Sequence, residues 1–159
     1  MMKFLALFLV LTCFSSTVFS YPLNPDEQMT PGELCDYNDG DYQTERYQER
    51  IPYCKRNVSS YQKRRIYEEY HIPSKCRSNY TIDHLIPLSI GGNNSDENLW
   101  PEHKMVKATR QNLELEIFQA VSAGKMTQKQ AVEIILKVKK EEIKNLPSSN
   151  RNDDCNRPG

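Results

Sequence analysis

The chain has no net charge, no CxxC pair and no apolar run long enough to cross a bilayer, and each absence excludes something. Basic and acidic residues number 21 each, so bulk charge does not draw this protein to a polyanion. Without CxxC spacing, a zinc knuckle or ribbon is excluded. The longest apolar run, Phe4 to Leu11, is far short of the about 20 residues a membrane helix needs. Six glycines and one tryptophan leave no room for a collagen-like or glycine-rich low-complexity chain.

What is present begins with a leader. Lys3 precedes the Phe4–Leu11 run, polar residues follow from Thr12 to Thr17, and Val18-Phe19-Ser20 closes the segment. A basic start, a short apolar core and a small residue at the end make a secretory signal peptide over residues 1–20. Thr12 is bulky for the position before a lipidated cysteine, which argues against a lipoprotein anchored through Cys13. Removing the leader leaves Cys35, Cys54, Cys76 and Cys155, an even set that allows two disulfides in three pairings. Structural disulfides in turn predict an oxidising compartment, periplasmic or extracellular, with no membrane attachment after cleavage.

Charge is uneven along the mature chain. Residues 26–49 hold eight acids against Arg46 alone, whereas residues 55–77 hold seven bases against Glu68 and Glu69. Such asymmetry allows a local basic face on a neutral molecule. Residues 21–47, rich in Pro, Asp, Gly and Asn, read as an irregular acidic arm pinned through Cys35. Residues 48–146 read as the folded domain and 147–159 as a polar tail.

Within the domain, Ser59 or Ser60 caps a helix running to about Tyr70, and Pro73 stops it. Tyr80 to Leu88 is a strand, limited by Pro87. Residues 91–97 are a loop by composition. Val106, Leu113, Ile117, Ala120 and Val121 recur at helical spacing until Gly124. Thr127 and Gln130 form a capping box for a last helix over about 127–145, whose Ala131, Ile134, Ile135 and Val138 make one apolar face.

The richest stretch is IDHLIPLSIGGNNSDENLWP, residues 82–101. Asp83 and His84 pair a carboxylate suited to a cation with an imidazole suited to removing a proton near neutral pH. Adjacent strand residues point to opposite sides, so a bend is required for both to serve one site. Arg56 and Arg110 are candidates for phosphate oxygens, which guanidinium forks match. Trp100 reads as a core plug and His71 as structural or solvated.

The pattern DHxxPLxxGGxxxxxNLWP resembles the HNH endonucleases, over about residues 80–121. The resemblance implies an α+β fold with a ββα-metal core, flanking helices and disulfide staples. It implies His84 as general base, Asp83 as metal ligand, and Asn98 as the residue that braces the loop and so positions His84. It implies a divalent ion, Mg²⁺ foremost with Mn²⁺, Ca²⁺ and Zn²⁺ as alternatives. The family places a His or Asn about nine residues after the bracing Asn, where this chain has Lys107. A protonated lysine ligates no cation, so Asn112 or His103 is the expected further ligand, or the ion keeps more waters. Asn112 is preferred because an amide carbonyl suits a hard cation.

The expected activity is hydrolysis of DNA, with RNA as a second substrate, by an exported monomer. No helix-turn-helix or zinc-finger spacing accompanies the motif, so low sequence specificity is expected. The rivals are a ββα nucleic-acid-binding module without catalysis and a disulfide-stapled extracellular interaction protein. The sequons at Asn57, Asn79 and Asn93 would place sugars against the strand and the loop in a eukaryotic host, which favours a bacterial source.

Overall fold

The structure, a computed structural model, describes residues 22–141 and Cys155. The leader, the end of the last predicted helix (142–145) and the rest of the tail lie outside the described residues.

The chain after Cys54 begins its first helix where the sequence puts a cap. Ser59 accepts a hydrogen bond from the Gln62 amide at 3.1 Å, satisfying one of the donors a helix start leaves open. This helix, α1 (Ser60–Glu69), buries Ile66 and leaves Tyr61 exposed. After a 3₁₀ turn at Ser74–Asn79, β3 (Tyr80–His84) pairs antiparallel with β4 (Leu99–His103), with Asp83 opposite Trp100 and His84 opposite Leu99. Helices α2 (Lys104–Ala108), α3 (Leu113–Ser122) and α4 (Gln128–Lys140) follow. The Thr127–Gln130 capping box opens α4 as predicted, and Gly124 at φ 68° terminates α3.

The structure departs from the sequence expectation in four places. Residues 21–47 contain a strand, β1 (Tyr42–Arg46), which pairs with β2 (Ile51–Cys54) across a tight turn. β1 alternates too weakly in polarity to announce itself. β3 ends at His84 instead of Leu88. The helical pattern from Val106 to Val121 is two helices, because Val106 packs in one apolar cluster and Ile117 and Val121 in another. β4 escaped periodicity because all five of its residues are buried, which erases alternation, and because Pro101 sits inside it.

The fold is thus α+β, with two small antiparallel sheets and helices around them. Its two clusters meet at the end of β3. Leu85 enters the cluster of Ile66, Tyr80, Leu99 and Trp100, while its neighbour Ile86 enters that of Ile51, Ile90, Ile117 and Ile135. Consecutive side chains committed to opposite cores leave the backbone after His84 little freedom. Trp100 is fully buried, as predicted for a core residue.

Of the three disulfide pairings the sequence allows, the structure has Cys35–Cys54 and Cys76–Cys155. The first ties the acidic arm to β2, so the arm is pinned through Cys35 as expected. These bonds fit an oxidising compartment, and no described helix is long and apolar enough to cross a membrane.

Candidate active site

His84 is buried at the end of β3, with both ring nitrogens engaged. Its Nε2 lies 3.1 Å from Asn94 Oδ1. The Asn94 amide is oriented independently: Nδ2 donates to Asp41 Oδ2 at 3.0 Å and to the Lys55 carbonyl at 2.8 Å, and Oδ1 accepts from the Asn57 amide at 3.2 Å. An oxygen facing Nε2 requires that nitrogen to carry the proton, which assigns the lone pair to Nδ1. Nδ1 looks toward Arg56 Nη2 at 3.3 Å, a donor that suits a lone pair. Burial pushes the His84 pKa below its ordinary value, Asn94 opposes this, and the Arg56 charge adds to it. The ring is therefore neutral at pH 7, with a basic nitrogen at the rim.

The main chain of His84 is held from both sides. Its N–H donates to Asp83 Oδ1 at 2.9 Å and its carbonyl accepts from Lys139 Nζ at 2.8 Å. The strand geometry that should separate Asp83 from His84 is overcome by Arg56. One Arg56 nitrogen, on a side chain about half exposed, lies 3.3 Å from His84 Nδ1 and 3.8 Å from Asp83 Oδ1. Arg56 thus bridges two side chains that the strand turns to opposite faces.

Behind that rim sits a charged cluster. Lys107 of α2 forms an ion pair with Asp83, and its Nζ is 3.4 Å from Glu102 Oε2. Arg110 clasps Glu102 Oε1 through Nε at 3.2 Å and Nη2 at 2.7 Å. Lys139 Nζ pairs with Glu114 at 2.6 Å. Burial raises the Asp83 carboxyl, but Lys139 and Lys107 outweigh it and hold Asp83 well below the usual carboxylate range. Burial dominates at Glu102 and raises it, against Lys139 and Arg110.

The loop between β3 and β4 is clamped by Asn98, which is fully buried. Its Oδ1 accepts from Ile86 N–H at 2.8 Å, and Nδ2 donates to the carbonyls of Ile86 and Asn93, each at 3.0 Å. One amide therefore ties both ends of the loop that carries His84 and Asn94. Gly92 allows the close approach: a Cβ there would stand 1.9 Å from the Ile86 carbonyl oxygen. The arm closes the outside, with Cys35 N–H donating to the Gly91 carbonyl at 2.7 Å and Gly32 N–H to that of Glu97 at 2.8 Å.

The structure thus brings together Asp83, His84, Asn98 and Arg56, and sets apart the other three candidates. Asn112 is exposed at the start of α3 instead of inside a helix, and has no described hydrogen bond to Asp83 or His84. His103 pairs with Tyr80 in the strand register, on the sheet face opposite to Asp83. Its Nδ1 caps α2 by accepting from Met105 N–H at 3.2 Å, and its ring meets Tyr80 edge-on at 4.8 Å. Arg110 is buried on Glu102 and also donates to the Val138 carbonyl at 3.3 Å, so it serves the fold and not a phosphate. His71 is exposed.

Sequence reasoning missed Asn94, Glu102 and Lys139. Glu102 lies on the Asp83 face of the sheet, a position that follows once β4 is known. Lys139 continues the buried stripe of Ala131 and Ile135 at four-residue steps, so a lysine on a core face was the available signal. Asn94 gave no signal beyond its place in the loop.

Asp83 and Glu102 offer the hard carboxylate oxygens that a divalent ion takes, so the donor set fits such an ion once Lys107 withdraws from between them. A second grouping, Cys35, Asp39 and Cys54, has its two sulfurs bonded to each other, and a disulfide supplies no thiolate to a metal. No family model, curated protein or solved structure matches the chain.

Proposed function

We propose that this protein is an exported endonuclease of the HNH type, hydrolysing phosphodiester bonds of DNA, and of RNA as a second substrate, with low sequence specificity. The ββα core of the family would be β3, β4 and α2. The observation that carries the reading is the placing of His84 Nδ1 at a rim shared with Asp83 and the half-exposed Arg56, while Nε2 is held by Asn94.

In this reading Arg56 binds a phosphate oxygen, leaving Nδ1 free to take a proton from water as the water attacks phosphorus. Asn94 holds the proton on Nε2, fixes the ring plane and steadies the imidazolium that forms. Lys139 and Asn98 keep the His84 main chain from yielding. A divalent ion held by Asp83 and Glu102 would neutralise the phosphate and the charge developing on the leaving oxygen. Departure of the 3′-oxygen, as the resemblance to HNH endonucleases implies, would leave a 5′-phosphate and a 3′-hydroxyl.

Plasmid nicking by the oxidised protein, with and without Mg²⁺, Mn²⁺ or Ca²⁺, tests the reading. His84→Ala is expected to lower the rate by about 10²-fold or more, the ordinary contribution of a general base. The pH profile sharpens this. A base whose pKa is depressed is unprotonated above that pKa, so the rate should rise with pH to a plateau, with its midpoint below 6.5, the ordinary histidine value. Nicking that survives His84→Ala, or a midpoint above that value, would remove His84 from the role. The specific rival is a catalytically silent binding module, favoured by Lys107 lying on Asp83; it predicts DNA retention without nicking in every cation.

A further inference from the structure

Besides Arg56 at the rim, three cations stand around Asp83 and Glu102, and they are not equivalent. The Arg110 and Lys139 side chains are 9% and 1% exposed, whereas Lys107 is 49% exposed. Arg110 and Lys139 are also fixed by main-chain carbonyls, of Val138 and His84. Among the described residues the Lys107 ammonium meets two carboxylates and no main-chain carbonyl: it pairs with Asp83 Oδ2 and lies 3.4 Å from Glu102 Oε2. These are the oxygens that a hard cation would seek.

We propose that Lys107 is a removable resident cation, its ammonium and a divalent ion being mutually exclusive occupants of the place between Asp83 and Glu102. The inference rests on the nuclease reading for its metal. Two carboxylates packed together in a low-dielectric site need a positive charge between them, and Lys107 supplies it while no ion is bound. An ammonium and a dication in the same partly buried place repel strongly, so one must leave. A lysine does this readily, being a point charge on a flexible stem. The space for it exists. A cavity of about 30 Å³ lies between Glu102, Lys107, Arg110, Leu113, Glu114 and Lys139. Glu114, 41% exposed, offers a carboxylate on that side. The lysine at the family's expected ligand position is then the stand-in for the ion, and metal binding is weakened by the work of displacing it.

The test is Mn²⁺ binding by electron paramagnetic resonance on the full oxidised chain, without nucleic acid. Lys107→Met and Lys107→Gln are expected to bind Mn²⁺ about tenfold or more tightly than the wild type, one such factor corresponding to a modest change in charge interaction. Lys107→Arg should stay near the wild type, and Asp83→Asn added to Lys107→Met should abolish the gain. Folded Met and Gln variants that bind Mn²⁺ no more tightly than the wild type would overturn the proposal. A measurement on the wild type alone covers the case in which both variants unfold. Saturating Mn²⁺ should raise acetylation of Lys107 several-fold, read by mass spectrometry against exposed lysines, and unchanged acetylation would overturn the proposal. These readouts do not depend on cleavage, so a protein that binds Mn²⁺ as described yet never nicks DNA loses the nuclease reading and keeps this one.

Discussion

The protein contains two antiparallel strand pairs of nearly equal length and very different character. β1–β2 closes through a short turn with Tyr47 and Arg50 at positive φ, 64° and 58°, and no residue of β1 is fully buried. β3–β4 has nine of its ten residues buried and is joined by the long segment 85–98. The first pair has its ladder, Arg46 stacked 3.2 Å over the Tyr53 ring, the Cys35–Cys54 bond and one deep anchor, Ile51, in an apolar cluster. The second is stabilised by the other apolar cluster, which takes Tyr80, Ile82, Leu99 and Trp100, by α2 and α4, and by buried polar groups on its loop. A two-stranded sheet is marginal alone. Burial turns one of these pairs into a place where an imidazole and two carboxylates are held by buried partners and their acidities shifted, and leaves the other as a bracket.

The comparison breaks most visibly at Asn98. If the buried pair depends on polar satisfaction, Asn98→Ala orphans Ile86 N–H and the carbonyls of Ile86 and Asn93 together. Unsatisfied buried groups each cost about 1–3 kcal/mol, and partial relief by water keeps the expected loss at about 3 kcal/mol. Urea unfolding reads this as a lower midpoint at unchanged slope, accompanied by loss of nicking. A midpoint within error of the wild type would show that the loop is held by its apolar residues alone.

The bracket is tested next, at Cys35–Cys54. This bond closes 19 residues, for which the loop-entropy account gives about 3 kcal/mol, with engineered cases falling short. Replacing both cysteines by serine should therefore destabilise the protein by up to that amount. It should also slow nicking, because Asp41 lies in the arm and Lys55 directly follows Cys54, and these two orient Asn94 and through it His84. Full activity in a measurably destabilised double variant would confine the disulfide to stability and separate the bracket from the site.

The same contrast explains what the sequence disclosed. Local signals were legible: the Ser59 cap, the Thr127–Gln130 box, the Gly124 stop and the Asn98 brace are short-range chemistry, and the structure has each of them. The loop-adjacent pair Asp83 and His84 was legible because two chemically loaded residues stand together. Non-local facts were not. β4 hides because burial on both faces removes its alternation, and Glu102 disappears with it. Asn112 suits a metal ligand's place only in one continuous helix, and the demand of two separate cores breaks that helix before Asn112. Arg110 looks like any exposed arginine until Glu102 is placed beside it. Lys107 was noticed as a departure, but only its position between two carboxylates gives it a role.

The smallest effect belongs to the exposed pair. Arg50 Nε lies 2.5 Å from Glu45 Oε2, yet the Arg50 side chain is 78% exposed. Solvent and salt screen such a pair, and holding a long side chain in one geometry offsets most of what remains. At φ 58°, arginine and alanine carry similar backbone strain, so substitution gains or loses little there. Arg50→Ala should leave the melting temperature and the nicking rate within error of the wild type. A fall of several degrees would mean that the exposed strand pair draws its stability from surface charge, and burial would then not be what separates the two pairs.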